Sequence, residues 1–349
     1  MKKITTISLS ALSVATVLAL AACGGGGGDG SGSSNGAPSS NSGSSGGNSG
    51  SSGGGSTPPA VPGTVGSPQY STQSAQLAAF NLLNQYRQQC GFPALKQNTV
   101  LDQAAQNHAK YIGLNGAVTD SELAGNQGYT GASYVDRATA VGFPNGPIGV
   151  GASGAGNAVF TSNFNAALAG QQFVYSLLGG AYHAVVAAFP VDNAGFGEYE
   201  TQASSGSYTY TESWQSISLY STSAQTIQNG PKTFPCDGVT GVPYREVGEI
   251  PAPPNVSSSG SGTPIVVMGN LSDSITLQSA SMTGPSGAVA IQILNANTDP
   301  NKLLGKYQAI AYPTSPLSPN TTYSVSVTGT VNGTSFSRTF SFTTGNVVG

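Results

Sequence analysis

Residues 82–95, LLNQYRQQCGFPAL, and residues 101–111, LDQAAQNHAKY, stand close together in the chain, and their reading decides the first folded unit. Within the longer run AQLAAFNLLNQYRQQ, residues 75–89, Ala79, Leu83 and Tyr86 recur on one helical stripe that Phe80 and Leu82 widen. Gly91 followed by Pro93 predicts the end of that helix near Cys90. A second helix opens with Asn98 or Thr99 as its cap, repeats apolar positions at Leu101, Ala104, Ala105 and Ile112, and ends around Leu114 to Gly116. His108 shares its apolar stripe. It is read as a packed, neutral histidine with one ring nitrogen bonded internally, and not as a site.

Residues 116–160 are rich in Gly, Ala, Asn and Ser and read mostly as loops around a short helix from Tyr134 to Ala140. A further helix is expected from Asn165 to Leu178. The segments HAVVAAF, AGFGEYE, SYTYTESW and ISLYS then read as strands of a mixed sheet, with Ala184 to Val186 entering it. Proline and glycine recur from Pro231 to Gly262, which suggests a connector lying against the sheet. Beyond it, Tyr323, Val325 and Val327 alternate, Asn332-Gly333 supplies a type I′ turn, and Phe336, Phe340 and Phe342 alternate back. That hairpin suits a β-sandwich.

The chain begins with two lysines, then an apolar run from Ile7 to Ala22, then Cys23. The pattern is that of a secretory signal peptide, too short for a bilayer span, and Leu20-Ala21-Ala22-Cys23 is similar to a bacterial lipobox. Cys23 is thus the expected lipidation site, the alternative being ordinary cleavage near Ala22. Gly24 after the cysteine favours the outer membrane by resemblance to lipoproteins. Residues 24–72 are Gly, Ser, Asn and Pro with almost nothing to bury, and are expected to form a flexible tether. The boundaries read from the sequence are therefore signal peptide 1–23, linker 24–72, first unit 73–222, connector 223–262 and β-sandwich 263–346. A formal charge of −3 and 7% charged residues exclude nucleic acid as a partner, since no cluster of Lys and Arg is present. With Cys23 lipidated, Cys90 and Cys236 remain, and an oxidising compartment favours a disulfide between them over two unpaired buried thiols.

The first unit resembles the CAP superfamily, the cysteine-rich secretory, antigen 5 and pathogenesis-related-1 proteins, in its bacterial form. The resemblance runs from about Ala75 to Ser221 and rests on LLNQYRQQCGFPAL, where Asn84, Arg87, Gly91 and Leu95 fit the family pattern, on LDQAAQNHAKY, on GYTGASYVDRATAVGF and on GGAYHAVV. It implies an α-β-α sandwich around a cavity in which two histidines and two acidic residues hold a divalent metal. The expected fold class is therefore α+β, this sandwich followed by a smaller all-β one. The last domain is similar to immunoglobulin-like or fibronectin-like modules, with Leu317, Pro319 and Tyr323 in the place of a tyrosine corner.

The carry-over of the cavity is uneven. His183 matches the second histidine, but Asp120 stands where the first belongs, eight residues before the Gly of GYTG, and Glu122 lies two residues further on. Neither GPIGVGASG nor NAALAGQQFVYSL supplies an acid where the family has one. His183, Asp120, Glu122 and Tyr182 are the expected cavity-lining residues, with no metal and no other cofactor. No G-x-S-x-G elbow occurs, and no free thiol is expected. The chain reads as a non-catalytic binding module for a small apolar ligand, an envelope component such as lipid or glycan, or a protein partner, held to the membrane through Cys23. A metal-assisted hydrolase at His183 and a purely structural envelope protein are the alternatives.

Overall fold

In a computed structural model, residues 20–21 and 61–349 are described. Cys23 and most of the signal peptide and tether lie outside them. Leu20–Ala21 form a two-residue strand, β1. Helix α1 (Ala75–Gln89) begins at Ser74, whose side chain accepts from the Leu77 N–H, and buries Ala79, Phe80, Leu83, Tyr86 and Arg87. Strand β2 (Lys96–Gln97) leads into α2 (Thr99–Asn115), capped by Asn98 and closed by left-handed Gly116. The short helix α3 (Tyr134–Ala140) carries a capping box between Ser133 and Asp136.

Strands β3 (Ile148–Ala155) and β4 (Val159–Phe160), helices α4 (Ala166–Gly179) and α5 (Ala181–Ala187), and the hairpin β5 (Asn193–Ser205) and β6 (Tyr208–Ser221) complete the first unit. Its sheet runs β2-β5-β6-β3, with β4 also on β6. Helices α2 and α3 cover one face through Leu101, Ala104, Tyr134 and Ala138. Helices α1, α4 and α5 cover the other through Phe80, Leu83, Val174, Leu177 and Val185. Gly195 and Gly197 admit α2 to the first face, because a Cβ at either would stand 2.0 to 2.2 Å from the backbone of that helix.

Three sequence expectations about the first unit and the tether are corrected. Residues 61–72, assigned to the tether, lie against the first unit: Val65 donates to the Gln97 carbonyl, and Tyr70 packs on Phe80 and Phe196 while bonding Asp102. The run HAVVAAF is helical in α5 up to Ala187, and every residue of α5 is buried, so a uniformly apolar run carries no period to separate helix from strand. The stretch IGVGASGA, read as loop, is β3.

The residues read as a connector are woven into the second unit. β7 (Lys232–Phe234), β8 (Val239–Val242) and β9 (Glu249–Ile250) precede β10 (Ile265–Met268), β11 (Ile275–Gly284), β12 (Gly287–Val289), β13 (Ile291–Asn295), β14 (Gln308–Pro313), β15 (Thr322–Val331) and β16 (Thr334–Thr344). One sheet runs β13-β14-β10-β7 and the facing one β12-β11-β15-β16-β8, so both recruit connector strands. Strand β9 pairs in parallel with β1. The Tyr323 hydroxyl accepts from the Ser318 N–H at 2.8 Å, the corner bond expected of that tyrosine.

The two units share one apolar core, in which Tyr86 of α1 meets Phe234 of β7 at a ring separation of 5.8 Å. Cys90 and Cys236, 146 residues apart, close a disulfide across the same boundary. The bond predicted from cysteine count and compartment is present.

Candidate functional site

Two motif residues explain why α1 fixes its surroundings. Asn84 donates to the Leu95 carbonyl and accepts from the Leu95 N–H, pinning the turn after the helix. Arg87 is buried and donates to the carbonyls of Pro93, Ala187, Phe189 and Val191, so its charge is spent on holding the exit of α5. Burial draws its pKa down to about 9. The position of α5, and with it His183, therefore depends on α1.

His183 is fully buried. Its Nδ1 stands 2.8 Å from Glu249 Oε1, and the same carboxylate accepts from the backbone N–H groups of Ala181, Tyr182 and His183. Glu249 thus caps the unsatisfied amino end of α5 and fixes the imidazole in one contact. Gly180 makes room for this: a Cβ there would lie 2.7 Å from Glu249 Oε1 and 3.0 Å from His183 Nδ1. His183 Nε2 is buried without a hydrogen-bond partner.

Asp120 is buried beneath Tyr134, whose hydroxyl donates to Oδ1 at 2.7 Å, while Oδ2 has no partner. Burial pushes its carboxyl up to about 6, against the Tyr134 bond and the opposing pull of His183 and Arg137. His183 is thus near enough to Asp120 to act on its charge. One unpartnered nitrogen and one unpartnered oxygen are what remains free of the expected constellation.

Glu122 belongs to a different network. It accepts from the Thr130 and Gly131 N–H groups, stands 2.9 Å from His108 Nδ1 and lies 3.7 Å from Arg137 Nε. Burial alone would raise its pKa, but the His108 and Thr130 bonds and Arg137 hold it below the usual carboxylate range. His108 also donates from Nε2 to the Thr119 carbonyl, so both ring nitrogens are engaged where one bond was expected. Burial holds the His108 ring below the ordinary histidine pKa.

Tyr182 faces the second unit. Its hydroxyl donates to Asp299 Oδ1 at 2.7 Å and accepts from Asn301 Nδ2 at 3.0 Å. It lines a cleft of about 200 Å³ together with Val185, Val186 and Phe189 on one side and Leu303, Leu304 and Tyr307 on the other. Sequence reasoning missed Glu249, Asp299 and Asn301. Each comes from outside the unit whose pattern was recognised, and no local spacing ties them to His183.

The donor set does not fit the divalent metal that the CAP resemblance implies. A catalytic zinc takes three protein ligands, whereas of the expected cavity residues His183, Asp120, Glu122 and Tyr182 only His183 Nε2 and Asp120 Oδ2 are free, His183 Nδ1 being committed to Glu249. Among the described residues no group of three or more His, Cys, Asp or Glu side chains is placed to hold a metal ion. Nor is any described helix long and apolar enough to cross a membrane.

No curated protein matches the chain. A family model does match, and it ends before α5, leaving His183 and Glu249 outside it. Residues 80–176 match the model of CAP, the Cysteine-rich secretory protein family, and this segment of the first unit is similar to that family.

Proposed function

We propose that this chain is a non-catalytic binding module, exported to the bacterial cell envelope, anchored there by lipid on Cys23, and carrying its CAP-like unit braced by an immunoglobulin-like β-sandwich. The closed surroundings of His183 carry the reading: the imidazole is fully buried and its Nε2 has no hydrogen-bond partner, so no hydroxyl or thiol stands within hydrogen-bond reach for it to activate. The ligand site is then the inter-unit cleft at Tyr182, where Val185, Val186, Phe189, Leu303 and Leu304 stand beside Lys302 and Gln308 and the Tyr182–Asp299 bond ties the two sides together. A small ligand or part of an envelope component with an apolar portion for the Val, Leu and Phe side chains and a polar portion for Lys302 and Gln308 suits that lining. Native mass spectrometry of protein taken gently from its own membranes tests this. A mass excess that Val186→Trp abolishes supports it, and bare protein under the same conditions favours a purely structural role.

A metal-assisted hydrolase has one observation in its favour, that His183 Nε2 and Asp120 Oδ2 are each buried without a hydrogen-bond partner. It requires a third ligand from solvent or substrate, and zinc analysis of the purified protein distinguishes it.

A further inference from the structure

Strand β5 outruns the elements beside it. Its register with β6 is unbroken from Asn193–Tyr220 to Ser205–Tyr208, whereas on its other edge β2 pairs only at Asn193 and Ala194. Past β2 that edge is closed by side chains of α2: Asp102 accepts from the Phe196 N–H, and Gln106 accepts from the Glu198 N–H and donates to its carbonyl. The cover ends at Glu198. Lys110, the next residue on the same helical stripe, forms no ion pair with a described residue.

Backbone groups alternate along a strand, so the N–H and C=O groups of Glu200, Gln202 and Ser204 point to the same outer edge as those of Phe196 and Glu198. Among the described residues no strand pairs with them there, and residues 202–205 are exposed. An open edge is a template for another strand, and proteins ordinarily block it with lysine, proline or a bulge. Residues 200–205, ETQASS, hold none of these.

We infer that this edge is an interface between two copies of the chain, with β5 of one protomer running antiparallel to β5 of its partner about Gln202. In that register Gln202 exchanges both backbone bonds with the partner's Gln202, and Glu200 does the same with the partner's Ser204. Every outward donor between Glu200 and Ser204 then meets an acceptor. The segment is complementary to itself: Thr201 falls opposite the partner's Ala203, and no like charges stand opposite each other. The two Glu200 side chains are about 14 Å apart along the strands, beyond the Debye length of about 8 Å. That fit selects a second copy over a foreign strand. The contact is small beside the roughly 800 Å² per partner of a stable interface, so the pair forms where the chain is crowded, as on a membrane surface. None of these residues lines the Tyr182 cleft, so the pairing and the binding role proposed above stand or fall separately.

Cysteine crosslinking in intact cells expressing the full chain tests the pairing. Directly opposed residues that exchange backbone bonds have Cα atoms about 5.5 Å apart, within reach of a disulfide. Gln202→Cys is therefore expected to give a covalent dimer under mild oxidation. Thr209→Cys, equally exposed but on the other strand of the same hairpin, is expected to stay monomeric. Adding Ser204→Pro to Gln202→Cys removes an edge donor and is expected to cut the dimer about tenfold, while the thermal midpoint holds because proline is tolerated where the N–H faces solvent. Monomeric Gln202→Cys, equal crosslinking by Thr209→Cys, or a dimer undiminished by Ser204→Pro each overturns the assignment.

Discussion

His183 Nδ1 and Glu249 Oε1 lie 2.8 Å apart although 66 residues separate them, and the same carboxylate receives three backbone N–H groups of α5. Two elements far apart in the chain therefore share one buried anchor. It holds the strand read as connector against the first unit at the point where the resemblance to known cavity residues is most depleted.

Removing that anchor has a defined cost. Glu249→Ala leaves the amino end of α5 and the imidazole without their acceptor, and is expected to destabilise by about 3–5 kcal/mol in urea unfolding. Glu249→Gln keeps an acceptor oxygen and is expected to lose less. Gly180→Ala is expected to lose part of the same stability, because its methyl group would stand 2.7 Å from Glu249 Oε1 and push the carboxylate off α5. Wild-type stability in Gly180→Ala would show that the Glu249 contact contributes little.

The pH dependence follows from Asp120. Its folded carboxyl is raised from 3.8 to about 6, so the native state binds more protons than the unfolded chain between those values. The stabilisation is complete below about pH 4 and is lost as pH rises through 6, amounting to about 3 kcal/mol at one shifted group. Asp120→Asn is expected to remove this slope. Glu246 contributes with the same sign in both proteins, so the difference between their stability curves over pH 4–7 isolates Asp120. Parallel curves would contradict the buried, weakly partnered state of this carboxyl.

The disulfide closes a long loop across the unit boundary. Its reduction is expected to cost about 4–5 kcal/mol by the chain-entropy relation, as an upper figure. Denaturant unfolding with and without reductant measures the loss. A difference below about 1 kcal/mol would mean that the shared core alone keeps the units together.

Arg87 makes a similar demand on the interior. Arg87→Met fits the space but leaves buried carbonyls of Pro93, Ala187, Phe189 and Val191 without their donor, with an expected loss of about 3 kcal/mol or more. Amide exchange in α5 is expected to rise with it, since its exit loses its ties.

Much of this was legible in the sequence where pattern and period agree. Helices α1 and α2 show a repeated apolar stripe, the second with its cap at Asn98, and the last hairpin alternates around Asn332-Gly333. Strand β3 was not legible because IGVGASGA has little intrinsic strand preference. Its glycines are dictated by partners elsewhere: a Cβ at Gly151 would lie 2.3 Å from the Tyr134 ring and one at Gly149 2.2 Å from that of Tyr220. Helix α5 carries no period because it is buried on every side. His183 was found through its similarity to a family segment, yet Glu249 stands in GEIPAPP, where proline and glycine mask short edge strands as linker. Glu122 shared the expected neighbourhood of Asp120, but its side chain is committed to His108 and Arg137.

The decisive measurement is the zinc content of the purified full chain beside that of His183→Ala. With His183 held by Glu249 and only two donor atoms free, zinc well below one equivalent is expected in both proteins, while the variant loses stability. One equivalent of zinc in the wild type that His183→Ala loses would contradict the closed, non-catalytic reading of this site.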